Sequence, residues 1–550
     1  MKNIITFILL FFLFVDKNLA QTNPKFSQPK LVVGIVVDQM RYDYLEKFKN
    51  KFSQNGFLKL QKQGFECKNN YYNYAPTVTA AGHAAIFTGS IPAINGIVGN
   101  DWFDKFTQSN MYCVEDSSVK TIGAPGNAGK MSPKNLLVNT IADQLKLSNE
   151  FQSKSIGISL KDRGAILPAG HSADAAYWFD SKTGNWISSS YYLEKLPDWV
   201  DKFNAQKLPS SYIQKGWNTL FDINTYQGVA NDDNSFETKL AGETKTSFPH
   251  ILAASSGKNL FESIRTSPFG NSLTKDFAIA TLQNESLGKG KYTDFLSVSF
   301  SSTDYVGHAF GPNSVEIEDT YLRLDKDIAD LIVALENQVG KNNFLLFLTA
   351  DHGVSEIPSY LKKHKQPSGS VEMPKVLRML KDSLVQHFQV KDLIWAEENN
   401  QLYIDFQRLK YNKIAYQDFF DFVNSVLMKE EFITNVVDLH NLSNSNLTDY
   451  QLAYIKNGYQ PKRSGDIMIL FAPNRLTGYK TGTGHSSFYR YDTHVPLLFY
   501  GTNVEAGFTN NTTFISDIAS TTAALLGIQE PNGAIGNVIF QSSKLKTVVK

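Results

Sequence analysis

The chain has 550 residues, of which 42% are hydrophobic and 19% charged, a balance that excludes a globally disordered protein. At roughly 150 residues per domain, this length fits either several domains or one large body with insertions. The 54 Lys and Arg against 53 Asp and Glu leave a net charge of +1, which gives no electrostatic case for nucleic acid or an anionic membrane. Two cysteines, Cys67 and Cys113, exclude a disulfide scaffold and lack zinc spacing, while leaving one bridge open.

At the N-terminus, Lys2 precedes a run over residues 4–15 that is apolar but for Thr6. It is too short to span a bilayer but suits the core of a secretory signal, with cleavage after Ala20. Losing Lys2, Asp16 and Lys17 with residues 1–20 brings the body 21–550 to neutrality. No later segment reaches eighteen apolar residues, so an exported protein without a membrane anchor is expected, periplasmic or secreted.

Leu31–Val37 (LVVGIVV) is continuously apolar, the pattern of a strand buried on both faces, and it ends in Asp38. Residues 42–63 have helical spacing. In PTVTAAGHAAIFTG, Pro76, Thr77 and Val78 keep the chain extended, and a helix begins after them and ends at Gly89. That places Thr79 at a helix N-terminus, where free N–H groups and the helix dipole favour phosphate. A hydroxyl there is either a plain cap or a nucleophile awaiting a base or metal, and Thr77 is the alternative. Residues 133–147 read as a helix, and 155–160 as a strand with Lys161 and Arg163 directly after it. On composition alone that pair is a solvated charged turn.

Residues 172–271, rich in Asn, Ser, Thr, Tyr and Trp, break the rhythm and read as an insertion. Residues 274–282 then read as a helix and 295–300 as a strand leading to Asp304, with His308 four residues on. Val315–Val339 is a long helix, and Phe344–Thr349 a strand leading to Asp351 and His352. Residues 360–462 form a second insertion, and His485 sits in the loop TGTGHSS. A strand at 496–500 and a helix over Asp517–Leu526 close the pattern. Strands alternating with helices mean a doubly wound α/β body, with a mostly parallel sheet sandwiched by helices and two inserted subdomains.

Ligands of open α/β sheets bind at the carboxyl ends of the strands. One aspartate there is best read as a turn or cap residue; Asp38, Asp304 and Asp351 in the same context are better read as converging. With His308, His352 and His485 they make a carboxylate–imidazole set suited to zinc or another divalent cation, enough for two sites.

At these residues the chain resembles the alkaline phosphatase superfamily. VVDQMRYDY, APTVTAAGHAAIFTGSIPAINGIVGNDWFD, STDYVGHAFGP, TADHG and THVPLLFYG fall in the family's order. The resemblance implies two Zn²⁺ per chain, one held by Asp304, His308 and His485, the other by Asp38, Asp351, His352 and the nucleophile Thr79. It further implies that Asn100 contacts phosphate. The segment SLKDRGAILPAGH resembles the Lys-x-Arg of the phosphate-irrepressible, PafA-type monoesterases, which implies that Lys161 and Arg163 hold phosphate oxygens. The expected activity is hydrolysis of small-molecule phosphate monoesters, with broad specificity, through a phosphothreonine, by a monomer. The alternatives are a phosphodiesterase or nucleotide pyrophosphatase on the same scaffold, and a non-catalytic binding protein.

Overall fold

The computed structural model describes residues 27–228, 232–252 and 261–539, so the signal expected at residues 1–20 lies outside the described residues. Ten strands build the main sheet: β1 Leu31–Val37, β2 Phe65–Tyr71, β3 Thr121–Ile122, β4 Ser155–Ser159, β5 Ala175–Asp180, β6 Asn185–Ser189, β7 Asp294–Phe300, β8 Phe344–Thr349, β9 Leu497–Gly501 and β10 Gly507–Phe514. Their order is β10-β2-β9-β8-β1-β7-β4-β5-β6-β3. The inner strands β8, β1, β7, β4 and β5 run parallel, while β9 lies antiparallel to β8 and β6 antiparallel to β5. Every residue of β1, β7 and β8 is buried. Successive strand residues point to opposite faces, so both faces are covered.

Four helices bear on the site: α1 Thr79–Thr88, α2 Asp162–Ala169, α3 Ser302–Phe310 and α4 Val315–Val339. Gly34 in the middle of β1 leaves room for Phe87 of α1, since an added Cβ would stand 2.8 Å from that ring and 2.7 Å from Phe347. The helix therefore sits tight on the sheet, with Phe87 tilted against Phe347 and edge-on to Phe295.

Two expected helices are shorter than their spacing implies. Residues 42–63 break into Tyr44–Lys47, a 3₁₀ turn Lys49–Lys51 and Phe57–Gln63. The break is held by Asp325 of α4, whose carboxylate accepts the backbone N–H groups of Ser53 and Phe57. Residues 133–147 are helical only over Ile141–Leu147, because Thr140 and Asp143 form a capping box that fixes the start. Conversely, the helix expected over 274–282 runs from Phe269 to Asn284. Cys67 and Cys113 are both free and buried.

Between β8 and β9 the chain builds a second sheet, in the order Ile394–Glu398, Gln401–Ile404, Ile467–Phe471, Ile433–Asp438. Helices Met373–Phe388 and Tyr416–Leu427 cover it around a core including Leu380, Leu402, Phe419 and Leu427. Its first hairpin turns at Asn399 and Asn400, and Asn399 Nδ2 donates to the Asp101 carbonyl at 2.8 Å. Arg463 lies over the Trp102 ring at 4.9 Å and donates to the carbonyls of Gly96 and Asn135. The second sheet thus clamps the loop that carries Asn100.

Candidate active site

The neighbours β8, β1, β7 and β4 deliver, at their carboxyl ends, Asp351 and His352, Asp38, Asp304, and Lys161. Adjacent parallel strands lie about 4.8 Å apart, so consecutive strand ends bring these groups together without any long reach. Asp38 leaves β1 with its N–H on the Phe300 carbonyl at 3.0 Å. Asp304 stands in the first turn of α3, and His308 follows one helical turn later with its Nε2 at 3.0 Å from Asp304 Oδ1. His485 arrives from the loop before β9, with Nε2 3.7 Å from the same oxygen.

The three histidines are anchored alike. His308 Nδ1 pairs with the Thr483 carbonyl at 2.7 Å, His485 Nδ1 with the Thr77 carbonyl at 2.7 Å, and His352 Nδ1 with the Gly353 carbonyl at 2.9 Å. A ring that donates from Nδ1 presents an unprotonated Nε2, the tautomer that a metal binds. His352 and His485 stack at 3.5 Å.

The donor set fits divalent cations. One atom from each of Asp38, Asp351 and His352 lies within 4.8 Å of the others, and so does one from each of Asp304, His352 and His485. His352 thus touches both groups, and His308 joins the second through Asp304. Oδ1 of Asp38 and Nε2 of His352 are buried without a hydrogen bond. Buried acceptors left idle are costly unless a cation takes them up.

Burial and the nearby Asp351 carboxylate push the Asp38 carboxyl well above its usual range. Burial would raise Asp304 too, but His308 and Lys161 hold it well below. Asp351 is likewise held low against burial, by His352 and His83. Burial, and for His485 the neighbouring His352, press the His352 and His485 imidazoles toward the neutral form, whereas at His308 the Asp304 carboxylate outweighs burial and favours the protonated ring. Lys161 stays charged in spite of burial, because Asp304 and Asp38 surround it.

Thr79 is the first residue of α1, following Val78 at the N-cap, and the one hydrogen bond of its hydroxyl is accepted from Lys161. Its Oγ lies 3.3 Å from Lys161 Nζ, which in turn meets Asp304 Oδ2 at 2.6 Å and Asp38 Oδ2 at 2.7 Å. Gly82 lets this helix end approach the strand end, since a Cβ there would strike the Asp351 carbonyl at 2.2 Å. Thr77 has other work: its hydroxyl donates to the Ser487 carbonyl at 2.7 Å. Asn100 Oδ1 accepts the Ala80 N–H at 3.0 Å, which leaves its amide NH₂ to donate elsewhere. Arg163 stands farther out. Its Nη1 donates to the Tyr112 hydroxyl at 3.1 Å, while its Nε is buried with no partner.

Several groups at the site carry no sequence signal of their own. His83, which reads as an ordinary core histidine, lies one turn after Thr79 with Nδ1 3.3 Å from Asp351 Oδ2 and Nε2 2.9 Å from Ser299 Oγ. Tyr479 stacks on His308 with its hydroxyl 3.1 Å from Nδ1. Tyr305 offers its ring to Lys161 at 5.1 Å and to Arg265 at 5.8 Å. Gln39 bonds to two of the carboxylates.

The profile of the type I phosphodiesterase / nucleotide pyrophosphatase family matches residues 32–494. Alkaline phosphatase PhoV of Synechococcus elongatus is 46% identical over 513 residues, 93% of this chain and 92% of that protein. A protein of Myroides odoratus named calcium-transporting ATPase is 45% identical over 545 residues, 98% of this chain and 99% of its own. The crystal structure of wild-type alkaline phosphatase PafA superposes with a TM-score of 0.90 at 43% identity, covering 93% of this chain and 98% of that one.

Proposed function

The chain belongs to the type I phosphodiesterase / nucleotide pyrophosphatase family of the alkaline phosphatase superfamily, alongside the PafA and PhoV alkaline phosphatases, and from that premise we propose a zinc-dependent hydrolase of phosphate monoesters that works through a phosphothreonine. The observation that carries the reading is a threonine hydroxyl beside Lys161 and two groups of buried carboxylate and imidazole donors.

When bound, two zinc ions held by Asp304, His308 and His485 and by Asp38, Asp351 and His352 supply positive charge that makes a hydroxyl or water acidic and stabilises a departing oxygen. Thr79 Oγ attacks phosphorus, an Oγ–P bond forms, and the bond to the leaving oxygen breaks. Water then attacks the same phosphorus, releases phosphate and returns the Thr79 hydroxyl. An oxygen on phosphorus joined to Oγ falls within reach of Lys161 Nζ. The free amide NH₂ of Asn100 faces the same helix end, whose unpaired N–H groups add to the anion site. Arg163 brings a second cation with an idle Nε–H.

The charge balance favours monoesters over diesters. A monoester dianion carries one more negative charge at phosphorus than a diester, and Lys161 and Arg163 answer it with two positive ones. The terminal phosphoryl group of ATP presents the same dianion, so the name of the Myroides relative fits the same chemistry. Export with removal of residues 1–20, and action as a monomer, complete the proposal. No helix among the described residues is long and apolar enough to cross a membrane.

Lys161→Ala and Arg163→Ala test the reading. Losing one preorganised donor to the reacting group typically costs about 10²–10³ in rate. Monoester kcat/KM is expected to fall by that order, and diester kcat/KM far less, on substrates sharing one aryl leaving group. The double variant need not add, since both groups serve one phosphoryl. Equal losses on both substrates would remove the pair as the source of specificity.

A further inference from the structure

We propose that Gln39 is a positioning residue of the metal centre, holding the Asp304 and Asp351 carboxylates in register on either side of Asp38. The inference rests on the reading that these carboxylates bind zinc.

Gln39 has a φ of 67°, in the left-handed region that glycine favours. Among the described residues it is the only non-glycine residue with positive φ that is buried, at 2% exposure. The others are exposed or partly so, at turns, loops and helix ends. A buried instance persists only where its surroundings impose it, and such residues cluster at functional sites.

From this turn one residue reaches two carboxylates. Its backbone N–H donates to Asp351 Oδ1 at 3.1 Å, and its side-chain Nε2 donates to Asp304 Oδ1 at 2.6 Å. These two aspartates come from β8 and from α3 after β7, the strands that flank β1. The far end of the amide is fixed as well. Gly307 of α3 stands where an added Cβ would lie 1.9 Å from Gln39 Oε1. A residue with any side chain at that point would drive the amide off Asp304.

An uncharged donor suits this task. It fixes the plane of a carboxylate and keeps it ionised, yet brings no positive charge to repel a metal. Lys161 does the opposite at the other Asp304 oxygen, where its ammonium competes for the same lone pairs as a cation.

Three variants of the holoenzyme separate positioning from folding. Gln39→Gly keeps the backbone conformation and loses the amide alone. Gln39→Glu keeps the size and turns the donor into a like charge facing Asp304. Gly307→Ala leaves Gln39 intact, favours the helix, and fills the space its oxygen occupies. The measurement is stepwise zinc removal by chelator competition, counted by elemental analysis, beside the melting temperature of the metal-free protein.

All three variants are expected to release one of the two ions about 10–100-fold more readily, as loss of a partner to a metal ligand usually does. The side-chain bond goes to Asp304 alone, so the other ion should be affected less. Excess zinc should restore kcat/KM, and the metal-free melting temperature of Gln39→Gly should match wild type. Wild-type zinc affinity in both Gln39→Gly and Gly307→Ala would overturn the assignment. Equal weakening of both ions, together with a lower metal-free melting temperature, would overturn it too by making Gln39 merely structural. Wild-type protein that takes up no zinc would overturn the metal centre and this inference together, which distinguishes the two failures.

Discussion

Thr79→Ala is expected to lose nearly all turnover, by about 10⁴-fold or more, and to form no covalent phosphate. At the start of α1 the Thr79 hydroxyl is the group placed to attack: Thr77 spends its proton on the Ser487 carbonyl, whereas Thr79 accepts from Lys161 and keeps its own proton uncommitted. Thr79→Ser keeps a hydroxyl at the same point and should retain measurable activity. Alanine at this position changes little in the fold, because the helix N-terminus is held by Asn100 on the Ala80 N–H rather than by the Thr79 side chain. Mass spectrometry of acid-quenched enzyme checks the assignment. Phosphate on Thr77, or wild-type turnover in Thr79→Ala, would refute it.

Removing the metals should have an effect of similar size. Charge stabilisation by a bound cation contributes several kcal/mol at the transition state, and each 1.36 kcal/mol is tenfold in rate. Prolonged chelation is therefore expected to abolish hydrolysis, and zinc to restore it better than magnesium, since three imidazoles among the ligands suit zinc and magnesium prefers oxygen ligands alone. His485→Asn should bind one metal fewer per chain, because His485 Nε2 points at Asp304 while its Nδ1 is tied to Thr77. Full activity in excess chelator, after time for slow release, would end the bimetallic account.

The fold was largely legible because its inner strands are buried on both faces and so read as unbroken apolar runs. Leu31–Val37 and Phe344–Thr349 appear in the structure with the bounds their composition implies. The residues just after such a run necessarily lie at the sheet's edge, which is why Asp38, Asp304 and Asp351 can be found by eye. Parallel pairing of β1 with both β7 and β8 then brings them together.

Helical spacing was a poorer guide where tertiary contacts intervened. Residues 42–63 have an apolar face throughout, yet Asp325, far along the chain, offers the backbone a better acceptor at the break. Gln39 was invisible for a related reason. Its sign of φ and its two partners depend on how β1 leaves the sheet, and the residue type alone does not predict a left-handed turn. Arg163 is only two residues past Lys161, but it already belongs to the helix that starts at Asp162, which turns its side chain toward Tyr112 rather than into the carboxylates.

Monoester hydrolysis is tested most directly with wild-type, zinc-loaded enzyme on a phosphate monoester and a phosphate diester that share one aryl leaving group. With leaving-group chemistry held constant, kcat/KM reports only how the site answers the charge on phosphorus. Lys161 beside Thr79, with the proposed contribution of Arg163 and of two metals, predicts a large preference for the monoester. A preference for the diester would contradict it and make the protein a phosphodiesterase on the same scaffold.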